Sequence, residues 1–369
     1  MITSLLKGKF AGAGALFRER HGAEVTARVS ERPEEYAAVR DAVGLTDFSF
    51  LHKFRVPAER GLDYLDALLA GNVPKIRFGR VLHTFLADSD GQLMGDCYVA
   101  NNDEEFIFLC EGIAPEADLR GVLAAAGAEE AGAEDLTDSH AILSVDGFKA
   151  WDVAKEVFGA DVLGLPYLSI ELYPFQGASV RLIRAGKTSE FGYLALAPQS
   201  VAAALFDVLR AAVVRRDGRL CGVDVHDDLR LEGRFFNIQA EGLRVRDPLT
   251  LGLQWMMDPD KEKFSGHDAI QRRRAEGLKR KVVGVAAEPG CDLLRTGARI
   301  FHLGQPVAEV VADCRSFLLN RRLALAVFPV GLAFSGLSFR LGAAEGPVVK
   351  TISMPPIMPR SLTVKLDEM

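Results

Sequence analysis

The sequence predicts an α+β chain that closes with a small β-barrel. Two observations carry that reading. Three apolar runs follow one another at 80–88, 93–100 and 104–112, separated only by the turn compositions DSDG and NND, which describes an antiparallel meander. After residue 278 the composition shifts to short β-rich runs punctuated by Gly and Pro, as a small barrel or sandwich requires. Helical rhythms and meanders mix elsewhere, which argues against a doubly wound sheet. At 369 residues the chain suggests two or three cores. The KRK at 279–281 marks a boundary between units 1–278 and 279–369.

Taken in order, PEEYAAVRDAVGL (33–45) has helical periodicity that ends at a glycine, and HKFRVPA (52–58) reads as a strand. RGLDYLDALLAGN (60–72) is a helix closed by Gly71 and Asn72. Beyond the meander, HAILSVDG is a strand and FKAWDVAKEVFG a helix. LSIELYPF and ASVRLIRAG form a hairpin around Gly177. YLALAP, the helix QSVAAALFDVLRAAVVRR and DVHDDLRLEGRFF complete this part. The barrel candidates are KVVGVAAE, ARIFHLG, PVAEVVADC, LALAVFPV, LSFRLG and PVVKTISM.

Several function classes drop out. A formal charge of −6 gives no electrostatic case for nucleic acid or an anionic membrane. The five cysteines, Cys97, Cys110, Cys221, Cys291 and Cys314, form no CxxC pair and read as reduced thiols, with no metal site. The N-terminus lacks the pattern of a secretory signal, and no run of about 18 apolar residues exists, so a soluble, cytoplasmic protein is expected. No GxGxxG follows a strand and no Walker loop or HExxH occurs. AGAGAL (11–16) reads as a flexible lead-in. Bland readings also cover His226 in VHDD as a surface cap or helix start, GAEEAGAED and QRRRAEGLKRK as solvated charge, and Trp255 as core or rim packing.

Asp96 is more informative, although from the residues alone a solvated or structurally paired carboxylate remains the favoured reading. It sits mid-strand in GQLMGDCYVA, where a buried carboxylate is costly unless paired. Alternation places Met94, Asp96, Tyr98 and Ala100 on one face. Gly95 beside it allows a close approach to the backbone.

The segments VRDAVGLTDFSFLHKFRV (39–56), LAGNVPKIRFGRVLHTFLADSDGQLMGDCYVA (69–100), LPYLSIEL, RAGKTSEFGYLAL (184–196), HDDLRLEGRFF (226–236), DPLTLGLQW (247–255), KFSGHDAI and PPIMP (355–359) together resemble the aminomethyltransferase family. That family comprises the T-protein of the glycine cleavage system and its folate-dependent relatives. The resemblance implies a folate-binding unit of two intertwined subdomains and a C-terminal β-barrel, set as a three-lobed disc around a pterin hole. PPIMP would be the final strand. Asp96 falls on the family's catalytic carboxylate and Trp255 on a tryptophan that lines the pterin pocket. The run GKTSEFGYL supplies Glu190, Tyr193 and Leu194, with Leu194 standing where the family has a glutamate that grips the pterin edge. His226 replaces a family arginine, Glu111 an asparagine, and Leu51 with His52 part of an SHMG motif; Leu362 takes a tyrosine position.

The function implied is tetrahydrofolate-type one-carbon transfer from a small N-, O- or S-methyl or aminomethyl donor, with a lipoyl carrier protein as a possible partner. Asp96 would orient the donor and stabilise positive charge near the transferred carbon. His52 would add an acid or base near neutral pH. The alternative is a non-catalytic member or partner subunit that binds folate weakly or binds another ligand. Its iron–sulfur-maintenance branch carries a Lys-Gly-Cys-Tyr-x-Gly-Gln type motif that KFSGHDAI lacks.

Overall fold

The computed structural model describes residues 1–112 and 119–364 of the chain. The meander forms as expected. Val81–Ala87, Leu93–Asn101 and Glu105–Glu111 pair antiparallel, and His52–Pro57 and Glu134–Asp135 extend them into a five-stranded sheet. A second sheet has the order Ser169–Phe175, Ala178–Arg184, Gly192–Pro198, His140–Asp146, Gly44–Asp47, Arg219–Cys221, with the last pair parallel. Its hairpin turns on Gln176 and Gly177, both at positive φ, the backbone that matches strand twist.

The two sheets face each other, and strand alternation decides what meets. Tyr98, Ala100, Ile107 and Leu109 of the first pack with Ile142, Ile183, Leu194 and Leu196 of the second in one buried cluster. The other side of the second sheet carries Leu143, Val145, Tyr193 and Ala195 against the helices Ala150–Phe158 and Gln199–Val214. Cys97, Val99 and Phe108 line the back of the first sheet against the helix Ala58–Leu68. Burying each large apolar side chain is worth about 1.5–3 kcal/mol. A one-residue slip of any strand would exchange the layers, so the register is strongly specified.

One bulge corrects the expected alternation. Leu86 pairs with Gly95 and Ala87 with Leu93, which leaves Met94 as the extra residue. Met94 therefore joins Cys97 and Val99 at the back of the sheet, while Asp96 and Tyr98 keep the inner face.

The strands from Arg280 to Ile352 close a six-stranded barrel, Arg280–Ala287 pairing with both Arg321–Pro329 and Val348–Ile352. PPIMP is not a strand. Pro355, Pro356 and Pro359 offer no N–H to a ladder, and the chain runs irregularly into the single turn Arg360–Leu362, where Leu362 is exposed. The glycine-rich start is not a loose lead-in either. Lys7–Ala11 is a short helix with Phe10 packed on Phe206, and Leu16–Arg20 with Ala23–Arg28 forms a hairpin that delivers Arg20 to the interior.

The helix Val223–Glu232 starts at Gly222, where a Cβ would lie 2.0 Å from the Ala27 carbonyl oxygen. Most of this helix is buried, so every charge on it needs a partner. Asp227 accepts from Arg20, Asp228 from Arg32, and Glu232 from Arg40 and Tyr36, while Arg230 donates to Glu111.

Candidate functional site

Where the two sheets and this helix converge they leave a cavity lined by both polar and apolar side chains. Asp96, Tyr98, Leu109 and Glu111 form one wall. Ser144, Asp146 and Leu194 face them from the second sheet, and Gly186 and Lys187 arrive on the loop before Gly192. His226 and Arg230, one helical turn apart, share the face of the helix that meets the cavity. Phe48 and Leu51 complete the lining. The buried Lys53 ammonium fixes the turn that carries Leu51 by donating to the carbonyls of Ser49 (2.7 Å) and Leu51 (2.8 Å).

Asp96 and Glu111 lie directly opposite each other on adjacent strands, an arrangement that is repulsive by itself. Cations resolve it. Lys187 Nζ donates to Asp96 Oδ2 and, at 3.3 Å, to Glu111 Oε2. Arg230 grips Glu111 with two parallel bonds of 2.9 and 2.8 Å, and Arg20 stands 3.6 Å away. Burial alone would raise the Asp96 carboxyl, but Lys187 and then His83 hold it well below the ordinary carboxylate range. Burial opposes ionisation of Glu111 too, and Arg230, Lys187 and Arg20 pull it down to about 2. Both carboxylates are charged at neutral pH. His83 is pushed down by burial, more than Asp96 pulls it up, so the neutral ring donates its Nε2–H to Asp96 Oδ1 at 2.6 Å. That ring stacks on Tyr98 at 4.4 Å and meets the edge of Trp255 at 5.3 Å.

The facing wall is built differently. Asp146 accepts one hydrogen bond from the Ser144 hydroxyl, and burial, only partly offset by that bond and by Arg230, lifts its carboxyl to about 7. His226 pairs with Thr46 Oγ1 at 2.9 Å; burial and the Arg230 charge push it down to about 3, so it is neutral at any working pH. Among the described residues, the buried Tyr98 hydroxyl and Arg230 Nε have no hydrogen-bond partner.

Of the residues singled out from the sequence, Asp96, Leu51, Glu111, Leu194 and His226 line this cavity. His226 is buried in it rather than capping a surface helix. Glu190 is elsewhere, spent on Arg40 at 2.9 Å and on Ser361, where it ties the C-terminal segment down. Tyr193 lies on the helix-facing side of its strand, as the period of two dictates from Leu194. Trp255 is 61% exposed, is not part of the cavity lining, and meets the His83 ring edge-on. His52 pairs across strands with Cys110, on the side of the sheet away from Glu111.

Lys187, Arg230, His83 and Asp146 were not singled out, yet each had a signal. Lys187 lies inside GKTSEFGYL, Arg230 is four residues after His226, and His83 alternates in a strand that pairs with the Asp96 strand. Asp146 is another carboxylate beside a glycine in an apolar strand. The five cysteines are free, and among the described residues no cluster of His, Cys, Asp or Glu is arranged to hold a metal. No helix among the described residues is long and apolar enough to cross a membrane.

The family description "GCVT N-terminal domain" matches residues 8–261. An aminomethyltransferase of Mycobacterium leprae (strain Br4923) is 30% identical over 331 residues, which is 89% of this chain and 88% of that protein. One from Mycobacterium avium (strain 104) is 29% identical over 326 residues, 87% of each. In fold the chain is similar to the glycine cleavage system aminomethyltransferase T from Bartonella henselae, with a TM-score of 0.82 over 97% of this chain and 98% of that one, at 19% identity.

Proposed function

We propose, from the premise that this chain belongs to the aminomethyltransferase family, that its central cavity binds a tetrahydrofolate-type reduced pterin and that the protein moves a one-carbon unit from a small N-, O- or S-methyl or aminomethyl donor. The observation that carries the reading is Asp96, a buried carboxylate, ionised at neutral pH, at the cavity wall.

The residues present fit such a ring. Phe48, Leu51, Leu109 and Leu194 offer apolar surface for its faces, and the unpartnered Tyr98 hydroxyl and Arg230 Nε, with the Asp146 carboxyl, offer polar groups for its edges. Bound tetrahydrofolate would supply a nucleophilic ring amine to accept the one-carbon unit. Asp96 stabilises positive charge that develops on the donor during transfer, and it does so as a fixed anion rather than as a proton acceptor. His83 fixes its orientation from one side and Lys187 from the other, so little reorganisation accompanies the reaction. His226, already neutral and bonded to Thr46, orients and packs instead of shuttling protons. Leu51, Leu109 and Leu194 exclude water and so strengthen every charge interaction inside.

The test is incubation with tetrahydrofolate and a panel of methylated amines, ethers and sulfides, reading one-carbon folate products. Asp96→Asn should keep the fold and lower turnover by at least about 100-fold; unchanged turnover would remove Asp96 from the mechanism. A lipoyl carrier protein bearing an aminomethyl group belongs in the same panel, because the curated relatives are aminomethyltransferases. One observation favours a non-catalytic ligand-binding role: Lys187 already engages both carboxylates of the reactive wall. Binding without turnover on any donor would support that role.

A further inference from the structure

We infer that Asp146 is a cofactor-binding residue whose carboxylate receives the adjacent N–H donors on the amino-pyrimidinone edge of a reduced pterin. It does so in place of the acidic residue that the resemblance to aminomethyltransferases expects at Leu194. The inference rests on the pterin occupancy proposed above.

Leu194 pairs with Ser144 across the sheet, and Asp146 is two residues further along the same face. Diagonal neighbours of this kind lie about 7–8 Å apart, so a carboxylate lost from one strand is offered again by the next. The surroundings make room for the Asp146 carboxyl at the cavity wall. Its cross-strand neighbours on both sides are glycines, Gly192 and Gly44. A Cβ at Gly186 or Gly192 would come within 2.8 Å of Asp146 Oδ1, so no side chain can stand there without displacing the carboxyl.

The three cavity carboxylates also differ in what remains to be satisfied. Asp96 and Glu111 each have cationic partners, whereas the only hydrogen bond to Asp146 among the described residues comes from the Ser144 hydroxyl. A carboxyl buried with so little support is costly to the protein and is relieved by a ligand that brings donors. Across the cavity the buried Tyr98 hydroxyl and Arg230 Nε, without a partner among the described residues, point to a polar ligand independently of Asp146.

Calorimetric titration tests this. Tetrahydrofolate, and separately tetrahydrobiopterin, which has the reduced pterin ring without the benzoylglutamate tail, are titrated into the wild type, Asp146→Asn and Asp146→Asn/Leu194→Glu, each with its fold checked by circular dichroism. The expected result is about 30-fold weaker binding of both pterins to Asp146→Asn and recovery of most of that loss in the double variant. The rescue is a readout that a merely structural role would not give. Equal binding by wild type and Asp146→Asn would overturn the inference and leave the folate reading standing. Weakening confined to tetrahydrofolate would overturn it by placing Asp146 at the tail. No binding of either pterin by the wild type would overturn the folate reading and this inference together.

Discussion

The two walls of the cavity hold the same functional group in opposite states. On the five-stranded sheet, Asp96 and Glu111 are saturated by Lys187, Arg230 and His83, and their affinity for protons is low. On the six-stranded sheet, Asp146 has one hydroxyl donor and a proton affinity raised into the neutral range. A carboxylate given cations by its own protein is held for a role that depends on charge and position. A carboxylate left short of donors is set up to take them from elsewhere. On the proposed function, the saturated wall would serve the chemistry and the unsaturated wall the ligand.

The largest effect should come from breaking the saturated wall. Arg230→Met removes the bidentate partner of Glu111 and leaves the two opposed carboxylates with Lys187 between them and Arg20 at 3.6 Å from Glu111. A loss of about 3–5 kcal/mol in chemical denaturation is expected. A loss under about 1 kcal/mol would mean the network contributes little.

The pH dependence of stability should separate the walls next. A carboxyl whose folded pKa is raised adds stability below its unfolded pKa, near about 4, and loses it as pH rises through the folded value. For Asp146 that value is about 7, so its own contribution should be lost between about pH 4 and 7. Asp146→Asn should remove that contribution, so the stability difference between the two proteins should change by on the order of 2 kcal/mol across this range, while Asp228, also raised to about 7, titrates in both. Glu111 has the opposite sign. Its contribution is present above the unfolded pKa and is lost as pH falls toward about 2. Identical pH profiles for wild type and Asp146→Asn would contradict the contrast.

Trp255→Ala should show the smallest change. The indole is mostly exposed and meets the His83 ring of the saturated wall edge-on. A stability loss under about 1 kcal/mol is expected from a thermal melt. A loss above about 2 kcal/mol would mean that Trp255 is part of the core of that wall.

The unequal legibility of the two walls has the same physical origin. The meander, the Gly177 hairpin and the barrel strands are written locally, in alternation and turn residues, and were readable. The bulge at Met94 depends on partner register, which a single strand does not reveal. The hairpin after the AGAGAL run was missed because its value lies in a distant contact, Arg20 against Asp227 and Glu111. A carboxylate beside a glycine in an apolar strand draws attention to Asp96, but the resemblance is what marks it as catalytic; Asp146 in SVDG carries the same local signature without a matching family position. Glu190 was weighed by its position in a motif, and only the fold shows it consumed by Arg40 and Ser361.

The account turns on whether the cavity between these walls takes a reduced pterin at all. Anaerobic calorimetric titration of tetrahydrofolate into the wild-type protein answers this most directly. The account predicts one saturable site per chain with a Kd of about micromolar order, corresponding to roughly −8 kcal/mol. No saturable heat at about 1 mM ligand would contradict it.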